Sequence, residues 1–201
     1  MKKKVPSNEF VITGRLTSLR SRKNGDRQGV VISRNGNNDL FVHMIFPKDV
    51  LKENLKNRIH VRIRGHIRAQ IYTDEAKKLK YSQSFIADEI ETDETLADKY
   101  FGIHGKFYPI PSCEICLKGK ISNVLDNNDW MRYQIEIPEE DGKKSSLRLS
   151  MKKIDRHPDI NKGDEVCVIG SLTTPKKEIN GKNRTFEDIL VMDIVKIDSK
   201  K

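Results

Sequence analysis

Several residues in this chain set an aromatic ring beside cations. Trp130 stands two positions before Arg132, with Arg148 further along, and Phe41 and His43 follow Arg27. Lys77 and Lys78 fall between Tyr72 and Tyr81, and Lys176, Lys177, Lys182 and Arg184 surround Asn180-Gly181. Such sets suit a ligand made of flat π-systems strung on a polyanionic backbone. The rings stack, at about 1–3 kcal/mol each, while the cations neutralise phosphates. A different chemistry is suggested by Cys113-Glu114-Ile115-Cys116, which has the spacing of half a zinc site. No second C-x-x-C or H-x-x-x-H completes four ligands. On a strand, residues three apart also point to opposite faces, which gives one core thiol and one surface thiol. The five histidines (His43, His60, His66, His104 and His157) and the carboxylates are scattered. Neither a G-x-x-x-x-G-K-[ST] phosphate loop nor a G-x-S-x-G elbow is present. The residues therefore read as a binder with no cofactor and no metal, and not as an enzyme.

What must position these residues is an internal repeat. Gly14-Arg15-Leu16 answers to Gly119-Lys120-Ile121, Gly65 to Gly170, and Phe85–Ile90 to Leu190–Val195, all at an offset of 105 residues. Two copies are too few for a solenoid and fit two domains of ordinary size in tandem. The expected boundaries are 1–98 for the first domain, 99–112 for a linker and 113–201 for the second. Within the linker region Leu96–Phe101 could form a helical turn, and Gly102, Gly105, Pro109 and Pro111 favour irregular chain after it.

Each copy reads as five strands. In the first they are Phe10–Leu16, Gln28–Ser33, Leu40–Phe46, Arg58–Ala69 and Ser84–Glu91. In the second they are Ile115–Ile121, Tyr133–Ile137, Ser145–Met151, Asp164–Thr173 and Ile189–Ile197. Val50, Leu51 and Leu55 suit a short helix over Pro47–Asn57. Its counterpart, Lys152–Lys162, contains Pro158 and should be more irregular. Long turns, Gln70–Gln83 and Thr174–Arg184, join strands four and five, and Asn180-Gly181 marks the second as a β-hairpin. A helix between strands three and four and a long connection between four and five is the strand order of an OB-fold. The expected fold is all-β, two tandem five-stranded OB barrels with short helices.

Strand alternation then sorts side chains in or out. Leu147, Leu149 and Met151 should fill the second barrel, with Ser146, Arg148 and Ser150 outside. Tyr133, Ile135 and Ile137 should be core, with Trp130, Arg132, Gln134 and Glu136 outside. Subtracting 105 puts Phe41, His43 and Ile45 on the outer face of the first barrel, beside Arg27. The outer face of strands two and three is a common oligonucleotide platform in OB folds. In strand four Ile59, Val61 and Ile63 point in, leaving Arg58, His60, Arg62 and Arg64 as a cationic outer ridge. In the second copy Cys167 and Ile169 stand where Arg62 and Arg64 stood. That apolar ridge is expected to be an interface, covered by the other domain or by another chain.

The segment Lys162-Gly163-Asp164-Glu165-Val166-Cys167-Val168-Ile169-Gly170-Ser171-Leu172 resembles the strand-four signature of bacterial single-stranded DNA-binding proteins. Leu117–Ile121, Lys182-Asn183-Arg184 and Asp188–Val195 fit the same pattern, as do Ile12–Leu16 and Val61–Ile67 in the first copy. The resemblance covers both repeats, and related primosomal OB proteins share it. It implies binding of single-stranded DNA without sequence preference, in replication, recombination or mobile-element transfer. It also implies four OB units per assembly, here supplied by a homodimer, and it likens the basic hairpins to the family's DNA-wrapping loops. Two departures stand out. The single OB unit is expected to be doubled here, and the family's acidic C-terminal tip is expected to be missing, the sequence ending Lys196-Ile197-Asp198-Ser199-Lys200-Lys201. Alternatives are a primosome-type scaffold or interaction module, or single-stranded RNA as the ligand, because stacking and phosphate contacts do not distinguish the sugar.

Composition agrees with a polyanionic partner. The net charge is +9, with 19 Lys/Arg against 13 Asp/Glu in residues 1–98 and 19 against 16 in residues 99–201, so +6 and +3. No apolar run approaches a membrane span, and Met1-Lys2-Lys3-Lys4-Val5-Pro6 lacks a signal-peptide core. Three sparse cysteines favour a reducing compartment, so a cytoplasmic location is expected.

Overall fold

The computed structural model describes residues 8–35, 38–51, 53, 55–92, 113–139, 141–153, 159–179 and 181–197. The expected linker 99–112, the expected turn at 96–101 and residues 154–158 of the expected irregular stretch 152–162 lie outside the described residues.

Five strands form the first unit: β1 (Asn8–Ser21), β2 (Arg27–Asn35), β3 (Asn38–Phe46), β4 (His60–Thr73) and β5 (Leu79–Thr92). The second contains β6 (Cys113–Asn127), β7 (Trp130–Pro138), β8 (Lys144–Lys152), β9 (Glu165–Thr173) and β12 (Asp188–Lys196), with β10 (Lys176–Ile179) and β11 (Lys182–Thr185) as a separate hairpin. In the first unit β1 pairs with both β2 and β4, and β3 pairs in parallel with β5, so the barrel closes. The second closes identically through β6–β7, β7–β8, β8–β12, β12–β9 and β6–β9. Closed five-stranded barrels in this order are OB folds, and closure removes the bare edges that an open sheet would carry.

The alternation of apolar residues gives each barrel its interior. Leu16, Val31, Val42, Met44, Phe46, Val61 and Ile63 are buried in the first, and Ile121, Tyr133, Ile135, Leu147, Leu149, Val166 and Ile189 in the second. Phe10 and Phe85 meet edge-to-face at 5.3 Å between centroids in the first core. Burying each large apolar side chain stabilises the fold by about 1.5–3 kcal/mol. The repeat's glycines mark places where backbones touch. A Cβ on Gly65 would lie 2.0 Å from the Ile86 carbonyl oxygen and 2.7 Å from the Phe10 ring, at the point where the β4–β5 register shifts. One on Gly14 would lie 2.5 Å from the Ile32 carbonyl oxygen.

The barrels join edge to edge. β1 runs antiparallel to β6, from Asn8 opposite Leu117 to Ile12 opposite Cys113, so ten strands make one continuous sheet. A second set of contacts crosses between the barrels in both directions. Ala69 N–H donates to Ser145 Oγ at 3.1 Å, and Arg68 Nε lies 3.0 Å from Glu139 Oε2. In return, Thr174 Oγ1 donates to the Asp39 carbonyl at 3.3 Å, and His43 Nδ1 lies 2.8 Å from Glu187 Oε1.

Three expectations need correction. No helix occurs among the described residues. The segment after Pro47 makes a turn, with Val50 N–H donating to the Pro47 carbonyl, and Leu55 is buried under the barrel end while Val50 and Leu51 pack against the core. One turn of apolar spacing is too little to repay helix nucleation. The chain there instead bonds β1, through Arg58 N–H to Leu16 O and Leu16 N–H to Ile59 O. Second, Gln70–Gln83 is not a loop between strands, because β4 and β5 stay paired out to Thr73 opposite Leu79. Third, the repeat offset is 104 in strand two, where Val31 corresponds to Ile135, while strand three keeps 105, with Val42 opposite Val31 and Leu147 opposite Ile135. A one-residue slip moves every side chain of a strand to the other face.

Candidate nucleic-acid interface

That slip decides where Arg27 goes. It is in phase with Gly29, Val31 and Ser33, which are buried, and it pairs with the buried Phe46. Its Nη1 donates to the Leu55 carbonyl at 3.1 Å. Arg27 therefore ties down the barrel end and does not stand beside Phe41 and His43. The outer face of β2–β3 carries Gln28, Val30 and Ile32, opposite Ile45, His43 and Phe41 respectively. Phe41 is 37% exposed on this largely apolar platform.

Two cations border that platform which the sequence reading did not assign. A bulge in β1 between Thr17 and Arg20, with Ser18 at φ 55°, brings Arg20 opposite Gln28. Arg22 follows just past the strand. Together with Gln28, Val30, His43, Ile45 and Gln83 they line a groove of about 470 Å³. No carboxylate pairs with Arg20 or Arg22 among the ion pairs of the described residues. Period-two spacing in Arg20-Ser21-Arg22 was the available signal, but strand one was expected to end at Leu16.

In the second barrel the ring and its cations do share an open face. Trp130, 39% exposed, lies opposite Lys152 on β8 and Asn127 on β6. Arg132 lies between the exposed Leu125 of β6 and Ser150 of β8. Lys152 is a further addition, placed by β7–β8 register rather than by sequence proximity. Neither Arg132 nor Lys152 has a carboxylate partner among the described ion pairs.

Arg148 and Tyr81 meet each other. The Arg148 guanidinium sits 4.3 Å from the centroid of the Tyr81 ring, within cation–π range, and Arg148 N–H donates to Tyr81 Oη at 3.3 Å. Tyr81 Oη donates in turn to Gln83 Oε1 at 2.7 Å. Burial pushes the Tyr81 phenol up to about 12, against the opposing pull of Arg148. By the repeat offset Tyr81 corresponds to Phe186, and Arg148 to His43 (81 + 105 = 186; 148 − 105 = 43). The hairpin root of each barrel thus reaches the strand-three face of the other, through Tyr81 to Arg148 and through Glu187, next to Phe186, to His43.

The strand-four ridge is less cationic than its sequence. Arg62 Nη1 is 3.6 Å from Glu91 Oε2, and Arg64 reaches Glu89 at 3.6 Å and Glu9 at 3.8 Å. Cations neutralised in this way release few counterions on meeting a polyanion. The β4–β5 hairpin keeps Tyr72 opposite Lys80 and carries Lys77 and Lys78 on a turn built by Asp74. Asp74 accepts the Lys78 N–H at 2.8 Å, and that bond heads the causes holding its carboxyl below the usual range. Lys177 lies opposite Arg184, Lys176 opposite Thr185 and Lys182 opposite Ile179 on the hairpin that Asn180-Gly181 foretold, with Gly181 at φ 70°. Cys113 is buried and Cys116 half-exposed, as strand alternation required, and burial pushes the Cys113 thiol up to about 12. Ile169 is 52% exposed, so the first barrel does not cover the apolar ridge.

No protein-family model and no curated protein matches this sequence. Solved structures do match. The wild-type single-stranded DNA-binding protein from Thermus aquaticus aligns at 12% identity with a TM-score of 0.65, covering 94% of this chain and 92% of that one. A deletion variant of the same Thermus aquaticus protein aligns at 13% identity with a TM-score of 0.62, covering 94% of each. At such identities the likeness is one of fold, and it extends through both barrels.

Proposed function

We propose that this chain binds single-stranded DNA with little sequence preference, serving replication, recombination or mobile-element transfer in the cytoplasm, as a binder and not an enzyme. One observation carries the reading. Trp130 stands on an open strand-two face with Arg132 and Lys152 about it, and neither cation has a carboxylate partner among the ion pairs of the described residues. A ring for bases beside cations for phosphates is what a single strand needs. The groove flanked by Arg20 and Arg22 gives the first barrel a matching track. The fold shared with the Thermus aquaticus protein, which binds single-stranded DNA, supports it. The test is a titration of Trp130 fluorescence with oligo-dT at low and moderate salt, with duplex DNA as control and anisotropy of labelled oligo-dT in the same samples. Quenching that weakens with salt and is absent for duplex is expected. A flat response in both signals overturns the reading, and tighter binding of oligo-U reassigns it to RNA.

A second reading concerns assembly. Ile169 and Val195 are exposed on neighbouring strands of the second barrel. We read this ridge, with Cys167, as the seat of a second copy, which would make a homodimer with four OB units. Sedimentation of wild type and Ile169→Glu tests it, and a wild-type monomer at micromolar concentration refutes it.

A further inference from the structure

On the outer surface of the second barrel two cysteines from different strands come together. The β6–β9 ladder sets Cys116 opposite Ile169 and Lys118 opposite Cys167, so the cysteines are diagonal neighbours on one face. Both side chains stand on the outer face of the ladder, on the same side as Lys118 and Ile169. Both are half-exposed, whereas Cys113 points into the barrel. Diagonal neighbours in an antiparallel pair stand about 7–8 Å apart at Cα. That is beyond the span of an unstrained disulfide, so the pair is set for an ion between the sulfurs and not for a bond between them. Among the described residues no three His, Cys, Asp or Glu side chains are grouped to hold a metal, which excludes a tetrahedral zinc set. The carboxylate opposite Cys116 on β1, Glu9, is a hard donor paired with Arg64 at 3.8 Å, so the two sulfurs are the soft donors here, and they suit a soft closed-shell cation that accepts linear coordination.

We infer that Cys116 and Cys167 form a two-coordinate site for a soft, thiophilic cation of the Cu(I) class. Binding follows 2 RSH + Cu⁺ → [Cu(SR)₂]⁻ + 2 H⁺, so both thiols lose their protons to solvent. Lys118, directly across from Cys167, offsets the negative charge of the bis-thiolate. Ile169 and Val195 supply an apolar rim, which hinders water and hard ligands from competing. The site needs only β6 and β9, so it is independent of the DNA-binding reading; it shares Cys167 and its rim with the homodimer seat, so the titration is run beside sedimentation of the same sample, and loss of copper binding by a monomeric wild type counts against the site alone.

The test is an anaerobic titration of the full chain with Cu(I) against a chromophoric Cu(I) chelator. One chelator-resistant equivalent per chain is expected, with thiolate-to-copper absorption in the ultraviolet. Cys116→Ser and Cys167→Ser should each abolish it, and Cys113→Ser should retain it, with the fold of every variant checked by circular dichroism. Affinity should rise about hundredfold per pH unit, the signature of two displaced protons. Surrender of all copper to the chelator by the wild type, or retention of the tight equivalent by Cys116→Ser, overturns the site.

Discussion

Replacing Arg20 and Arg22 by serine should weaken oligo-dT binding in a way that replacing Arg62 and Arg64 does not. Both pairs are arginines on the outside of the same barrel, and charge counting treats them alike. Their surroundings differ. Arg62 and Arg64 lie 3.6–3.8 Å from Glu91, Glu89 and Glu9, while Arg20 and Arg22 line an open groove without an acidic partner among the described ion pairs. Each phosphate neutralised on a single strand contributes about 0.7 to the slope of log K against log salt, so losing two contacts lowers the slope by about 1.4. At about 0.1 M salt this is roughly 25-fold in affinity, or about 2 kcal/mol. The Arg62→Ser, Arg64→Ser double variant should keep the wild-type slope. The assay is anisotropy of labelled oligo-dT across a salt series, with thermal melts confirming that both variants fold. Equal loss of slope in the two variants, or loss only at Arg62 and Arg64, would refute the argument that ion-paired arginines are already spent.

Three further outcomes are expected. Trp130→Ala should cost about 1–3 kcal/mol of oligo-dT affinity in the same anisotropy assay, the worth of one stacked base. The Tyr81 phenol is raised to about 12 in the folded chain, so its contribution to stability is complete below pH ~10 and is lost as pH rises toward 12. Denaturant midpoints at alkaline pH should therefore fall less steeply in Tyr81→Phe, the difference approaching about 2–3 kcal/mol. Gly65→Ala forces a Cβ within 2.0 Å of the Ile86 carbonyl and should lower stability by about 2–4 kcal/mol in a urea melt.

Much of the barrel could be read from the chain, because apolar alternation with period two has one consistent solution. Leu147, Leu149 and Met151 pointed in and Phe41, His43 and Ile45 pointed out as expected. The matched glycines at 14, 65, 119 and 170 were legible for a physical reason: each lies where a Cβ would strike a carbonyl. The misplacement of Arg27 came from carrying one offset through all five strands. Both copies carry the same one-residue bulge in strand one, and the slip arises in the turns, with five residues between β1 and β2 against two between β6 and β7, so nothing in Gln28–Ser33 itself announced that the phase had turned over. The ion pairs were hidden differently. Glu89 and Glu91 are distant from Arg62 and Arg64 in sequence and adjacent only once β4 and β5 align. The encounter of Tyr81 with Arg148 depends on how two barrels meet, which no pattern within one repeat encodes.

The pairing of β1 with β6 has a consequence for dilution. Two separate OB chains that met along such an edge would part as their concentration fell below the dissociation constant. Here both edges belong to one polypeptide, and the encounter is intramolecular, with an effective concentration on the order of millimolar for a short connection. The ten-stranded sheet therefore persists at any concentration of protein. Cutting the chain between the repeats reverses this. Each half keeps its own barrel pairing but is left with one open side along Asn8–Ile12 or Cys113–Leu117, where the N–H and C=O groups that had bonded the other barrel face whatever strand arrives first.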